Sequence, residues 1–410
     1  MQELLIQNFG PIANKNGLPL KVNKVTVFCG MQGSGKSSIA KLLSTFLWLE
    51  KALVRGDFTI EELTSKDDFR KKYCAFHNIQ NYFKTDTFLY FKGTKFAFTY
   101  VKGNLSVKEI KSRSFVRPQV MYIPSERNFM TALKDAKDIR NLFGSLSVFF
   151  DEYTNALRNA NEPIALPLNG YKVTYDPLTD SVWLNGSEFK IKITEAASGF
   201  QSVVPMVVVT RYLLNKIKEN KKTGLDAASG AERQKTEKIV AAILKDRSLS
   251  NFLRTTLIKQ VEARYFINGR LVNIVEEPEQ NLYPETQRIV LNELLKVNNQ
   301  LAGNQLVFTT HSPYMLNYLT LAVKAGMLKA EIKQSAKSRA LLERMDSIVP
   351  RSGSVRPKDV AIYEISPEGE IQILETYDGI PSDSNFLNSA LNRTNELFDA
   401  LLEIQDEVEG

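Results

Sequence analysis

The stretch "CGMQGSGKSS", residues 29–38, constrains this chain more than any other part of it. Gly30 and Gly35 are separated by four residues, and Lys36 and Ser37 follow at once. Such a loop can turn its backbone N–H groups inward, because glycine has no Cβ to hold an anion away. The apolar run "KVTVF" before it reads as a strand. "SSIAKLLSTFLWLEKAL" after it has helical spacing, with Ile39, Leu42, Leu43, Phe46 and Leu47 on one face. A glycine loop between strand and helix is a phosphate loop, and the helix points its positive end at the same anion. Gly30, Gly33, Ser34, Gly35, Lys36, Ser37 and Ser38 are the candidate contacts. Lys36 would reach the β- and γ-phosphates of ATP, and the Ser37 hydroxyl would ligate Mg²⁺.

A phosphate loop of this kind needs a carboxylate for the metal and a group to orient water. "LVNIVEEPEQNLYP" offers both, since Glu276 and Glu277 stand at the end of a buried-type strand. Neighbouring strand side chains point to opposite faces, but the strand stops here, which lets both reach the site. Glu276 is assigned to the Mg²⁺ shell and Glu277 to the attacking water as general base. His311 follows the strand "QLVFTT" and would face the crevice at the strand's C-terminal end, in reach of the γ-phosphate or the water. The other histidine, His77, has no such context and reads as a surface or core residue.

The rest of the chain bounds the architecture. With 410 residues and 43% apolar residues, a sizeable core is expected, in one large domain with insertions or in two. Cys29 and Cys74 make no disulfide framework, no leader is evident, and the longest apolar run, near 203–209, is far too short for a membrane span. A soluble cytoplasmic protein without membrane attachment is the expectation. Residues 58–116 read as antiparallel β, and "NGYKVTYDPLTDSVWLNGSEFKIKI" alternates in the same way. "LVNIVEEPE" and "QLVFTTHS" with a helix between them suit a parallel sheet. "DVAIYEISPEGEIQIL" reads as a hairpin, followed by a helix from about Phe386 to Ile404. The net charge is +7, and between Lys216 and Arg264 twelve Lys and Arg stand against six Asp and Glu. A solvated helical face is the plainer explanation; a contact for DNA or an acidic partner is the other.

Taken together, "GMQGSGKSS", "AASGFQS", "IVEEPEQNLYPETQ" and "TTHSPYML" follow the order of motifs in ABC-type ATPase heads. The chain resembles the soluble SMC-like and OLD-like AAA branch, which "YIPSERN", residues 122–128, also resembles. The resemblance covers roughly residues 1–320, with 321–410 a strand–helix extension completing the head. It implies an α/β P-loop NTPase fold with a mixed central sheet, an antiparallel β subdomain and an inserted helical arm at about 215–265. It also implies that Ser198, Gly199 and Gln201 are the signature that caps the nucleotide of a second subunit, and that His311 is the switch histidine. "AASG" recurs at 227–230, but the first copy is preferred because Gln201 and a long apolar helix follow it. Phe200 replaces the second glycine of the transporter signature, which argues against a transporter ATPase. Gln119 is a weak match to the Q-loop glutamine. Glu126 and Arg127 are candidates for the site's edge, Arg127 either on phosphate or paired with Glu126.

The resemblance implies a homodimer or larger even-numbered oligomer closing on ATP. Branch members serve in bacterial anti-phage systems and control a toxic nuclease. Only about ninety residues follow "THSPYML", so an effector, nuclease or other, is expected on a separate chain. The alternatives are a DNA-binding SMC-like ATPase of repair or chromosome maintenance, and a binding switch with little hydrolysis.

Overall fold

The computed structural model describes residues 2–409, apart from 66, 112–114, 133–143, 169, 224–229, 247–248, 251–252, 255–256, 259–267 and 336. Its strands are β1 (Gln2–Phe9), β2 (Leu20–Val22), β3 (Val25–Gly30), β4 (Phe83–Lys92), β5 (Phe96–Val101), β6 (Asn104–Glu109), β7 (Pro118–Ile123), β8 (Ile164–Ala165), β9 (Lys172–Asp176), β10 (Ser181–Asn185), β11 (Lys190–Lys192), β12 (Arg270–Glu276), β13 (Gln305–Thr310), β14 (Val360–Ile365) and β15 (Ile371–Ile373). The central sheet has six strands in the order β15-β14-β3-β13-β12-β7. Strands β14, β3, β13, β12 and β7 run parallel, and β15 closes one edge antiparallel as the expected hairpin. The expected α/β class with a mixed central sheet is the one adopted.

Side-chain alternation divides this sheet between two cores. Val25, Val27 and Cys29 of β3 face the helices Gly144–Arg158, Ser198–Thr223, Pro284–Asn298 and Pro313–Ile332. Phe28, with Val272, Ile274, Val307 and Tyr363, faces the helix Lys36–Arg55 and a five-stranded antiparallel sheet, β2-β1-β4-β5-β6. Every residue of β3 is buried, as a strand covered on both faces requires. Glu50 ties the two layers together. Its fully buried carboxylate accepts the N–H groups of Thr94, Lys95 and Phe96 at the β4–β5 turn.

Two expectations change. The antiparallel part begins at Phe83, not near 58, and recruits β1 and β2 from the N-terminus. Residues 60–63 form a helical turn because Thr59 and Glu62 cap each other reciprocally. Of the helical arm at 215–265, the end of Ser198–Thr223 and the helix Gly230–Lys245 are described, and much of the remainder lies outside the described residues. His77 is a core residue, where burial pushes its pKa down to about 3. Among the described residues no helix is long and apolar enough to cross a membrane.

Candidate nucleotide site

The parallel register brings the C-terminal ends of three strands to one edge. Thr309 pairs with both Phe28 and Glu276, so the phosphate loop, His311 and the carboxylates leave the sheet side by side. Gly30, Gly33 and Gly35 all have positive φ, at 148°, 80° and 106°. A Cβ on Gly30 would lie 2.3 Å from the carbonyl oxygen of Ile365, so β14 seals the loop from below. A Cβ on the exposed Gly33 would meet nothing within 4 Å.

Polar groups here are arranged for an anion. The helix Lys36–Arg55 starts without a side-chain cap or an acidic residue in its first turn. The Ser34 hydroxyl is buried and has no hydrogen-bond partner. The Lys36 ammonium donates to the carbonyls of Gly30 at 2.8 Å and Met31 at 2.6 Å, holding the loop in its turn. Burial lowers the Lys36 pKa, and the Glu277 carboxylate works against that. Ser37 stands in the first helical turn, and the buried Glu276 leaves Oε1 without a partner while Oε2 accepts the Ser125 N–H at 3.2 Å. One free carboxylate oxygen and one hydroxyl suit Mg²⁺, which binds through one or two protein oxygens together with substrate phosphates. No self-sufficient His/Cys/Asp/Glu metal cluster occurs among the described residues.

Glu277 reaches the same edge by a backbone device. Its φ is +42°, so the chain turns out of β12 at this residue. Its N–H is fixed by Thr309, through the carbonyl at 3.1 Å and the hydroxyl at 3.2 Å. Its carboxylate faces His311 Nδ1 at 3.5 Å. The imidazole holds the Glu277 carboxyl below the usual carboxylate range, and the same contact raises the His311 pKa. Behind them, buried Glu279 accepts the Thr310 hydroxyl at 2.6 Å and the His311 N–H at 2.9 Å. Burial pushes the Glu279 carboxyl up.

Residues 251–316 match the family model described as "AAA ATPase domain", a minority of the chain that includes β12, Glu276, Glu277 and His311. No curated protein matches. Among solved structures, the Smc head domain with an extended coiled coil from Pyrococcus furiosus, bound to the C-terminal domain of ScpA, is 9% identical. It covers 97% of this chain and 100% of its own, with a TM-score of 0.40. The SMC head domain from Thermotoga maritima is 9% identical over 77% of this chain and 90% of its own, with a TM-score of 0.33. A dimeric ABC transporter cassette is 10% identical over 91% and 100%, with a TM-score of 0.26.

Ser198 and Gly199 begin the helix Ser198–Thr223, and a Cβ on Gly199 would lie 2.9 Å from the Asn281 carbonyl. Gln201 spends its amide N–H groups on its own loop, donating to the carbonyls of Ile193, Thr194 and Ala196. It holds the turn before Ser198 in shape. The rival "AASG" is outside the described residues except for Gly230, which starts a helix.

Two edge candidates are corrected. Arg127 is fully buried and touches neither phosphate room nor the Glu126 carboxylate. Its guanidinium donates to the carbonyls of Glu276 and Glu277 at 2.6 Å, and of Pro124 and Ser202 at 3.2 Å. It stitches the carboxylate turn to the helix Ser198–Thr223, and burial pulls its pKa down to about 10. Gln119 cannot be the Q-loop residue. Strand β7 runs parallel to β12, so Gln119 lies at the opposite end from the site, accepting from Asn268 at 2.7 Å. The segment that follows β7 at the correct end is Pro124-Ser125-Glu126. Sequence reading also passed over Glu279, although its place two residues beyond the carboxylate pair was a signal.

Proposed function

We propose that this chain is a cytosolic Mg-ATP-dependent ATPase whose two copies close head to head around two nucleotides. The observation that carries the reading is the left-handed turn at Glu277, which sets a carboxylate against His311 on the edge shared with Lys36 and Ser37. Glu277 takes a proton from the attacking water as general base, and His311 orients that carboxylate. Lys36 and the loop N–H groups carry the charge that develops on the γ-phosphate. Ser37 and Glu276 would hold Mg²⁺, which would supply neutralisation of phosphate charge. Ser198 and Gly199, at a helix N-terminus, make the second anion half-site for a partner's nucleotide. The cycle serves as a sensor or scaffold that controls a separate effector, in bacterial anti-phage defence. Phosphate release by the wild type, Lys36→Ala and Glu277→Gln tests the enzyme. Turnover unchanged in Glu277→Gln removes this mechanism, and a variant that also signals normally favours the switch with little hydrolysis.

A second reading, a DNA-binding SMC-like ATPase, gains support from a different surface than 216–264. A cavity of about 490 Å³ at the far end of the sheet is lined by Lys24, Lys296, Lys329, Lys333, Arg351 and Arg356, with Asp359 as its one lining acid. Duplex binding that weakens steeply with salt, and is lost in Lys329→Glu with Lys333→Glu, would favour it.

A further inference from the structure

The C-terminal helix Phe386–Glu409 is seated only at its root. Leu387 is buried, the Phe386 N–H donates to Glu364 at 2.8 Å, and the Asn385 side chain accepts the N–H groups of Leu387 and Asn388. From residue 389 to 408 every position is exposed. Leu397, Phe398, Leu401, Ile404 and Val408 are exposed by 58%, 60%, 63%, 58% and 81%. A free helix of this length gains little from its own hydrogen bonds and is normally held by packing of an apolar face.

Those side chains are ordered along the helix. Thr394, Leu397, Leu401, Ile404 and Val408 are spaced by three and four in turn, the a/d seam of a paired helix. Leu391 and Phe398 widen it on the e side. Glu396, Asp399, Glu403 and Asp406 fall at c and f, away from the seam. The helix carries six acidic residues and one arginine, so its back repels nucleic acid and anionic lipid, while its front suits another protein helix.

The flanking g positions select which helix. They are Arg393, Ala400 and Glu407. In an antiparallel pair g faces g, so Arg393 of one copy meets Glu407 of the other at both ends. Leu397 then layers on Leu401, and the small Ala400 sits by the two-fold axis. A parallel pair would set Arg393 against Phe398 and leave that arginine without an acidic partner.

We propose that this helix pairs antiparallel with the same helix of a second copy, without nucleotide. The contact uses neither Lys36, Glu277 nor Ser198, although Leu391 near the helix's root also lines the cavity that holds Glu277 and His311. Light scattering of the purified full chain at micromolar concentration, free of nucleotide, should give a dimer. Leu397→Asp with Leu401→Asp should give a monomer that unfolds at nearly the wild-type temperature and binds a fluorescent ATP analogue equally well. Arg393→Glu and Glu407→Arg should each weaken the dimer about threefold to tenfold, and the double exchange should restore it. A nucleotide-free wild-type monomer, or a dimer indifferent to the aspartates, overturns the pairing. Failure of the double exchange to restore it overturns the antiparallel arrangement. A helix-dependent dimer that binds no ATP would sink the function proposed above and leave this pairing standing.

Discussion

The Arg127 guanidinium lies 2.6 Å from the carbonyl oxygen of Glu277, and this bond holds a carboxylate turn whose backbone is left-handed. A left-handed glutamate persists only where its surroundings enforce it. Here Thr309 holds the N–H side and Arg127 the carbonyl side. Arg127→Met would leave buried carbonyls of Pro124, Ser202, Glu276 and Glu277 without this donor. The expected loss is about 3–5 kcal/mol of stability, read by urea unfolding. ATP turnover should fall at least about tenfold, since near-attack geometry tolerates little displacement. Wild-type stability in this variant would mean that the turn is held by other contacts.

The Glu277–His311 contact has a pH signature with two signs. His311 is raised in the folded protein, so its contribution to stability is complete below its ordinary pKa of about 6.5 and is lost as pH rises through the folded value. Glu277 is lowered, so its contribution is complete above about 4.3 and is lost as pH falls through the folded value. The pair is therefore most stabilising between those two ordinary values. As general base, Glu277 stays ionised into more acid solution than a free glutamate. In His311→Ala the acid limb of the kcat/KM profile should move to higher pH; an unmoved limb would separate the imidazole from the base.

The two loop glycines should fail differently. Gly30→Ala drives a methyl to 2.3 Å from the Ile365 carbonyl at a φ of 148°, so it should force β3 and β14 apart and lower the melting temperature. Gly33→Ala meets no protein atom within 4 Å and carries only a left-handed backbone cost of about 1–2 kcal/mol. Gly33 is exposed and its methyl would clash with nothing, so the fold should stay nearly intact and any loss should appear in nucleotide affinity, through the loop's conformation. Calorimetric unfolding paired with nucleotide titration tells the two apart.

Local chemistry was far more legible than partnership. The phosphate loop, the strands ending at Glu276 and Thr310 and the β14–β15 hairpin could be read because each is written in contiguous residues. "ELLIQNF" was readable as a strand, but its sheet was not, because alternation gives a strand's faces and not its neighbours. Gln119 misled for a related reason: its role turns on which way β7 runs. Arg127 takes neither role open to it, phosphate contact or partner of Glu126, because a sequence shows a charge and conceals that backbone carbonyls will use it. Glu279 went unnoticed because its partners, Thr310 and His311, are thirty-one and thirty-two residues away.

Glu276 differs from Glu277 in what its loss should do. Its Oε2 accepts the Ser125 N–H, so one oxygen is committed to the segment after β7. Oε1 is buried with no hydrogen bond formed, beside the Tyr122 hydroxyl, and a cation there would offset its desolvation cost. Glu276→Gln removes that charge and keeps the shape, and its amide can no longer serve as an anionic ligand. Apo stability should therefore hold or rise slightly. The Mg²⁺ concentration for half-maximal turnover should rise about tenfold or more, in line with the loss of one charge-assisted contact. Glu277→Gln should instead lower turnover at saturating Mg²⁺ and leave that half-maximal concentration nearly unchanged. If both variants respond to Mg²⁺ alike, the division of labour between the two carboxylates is wrong.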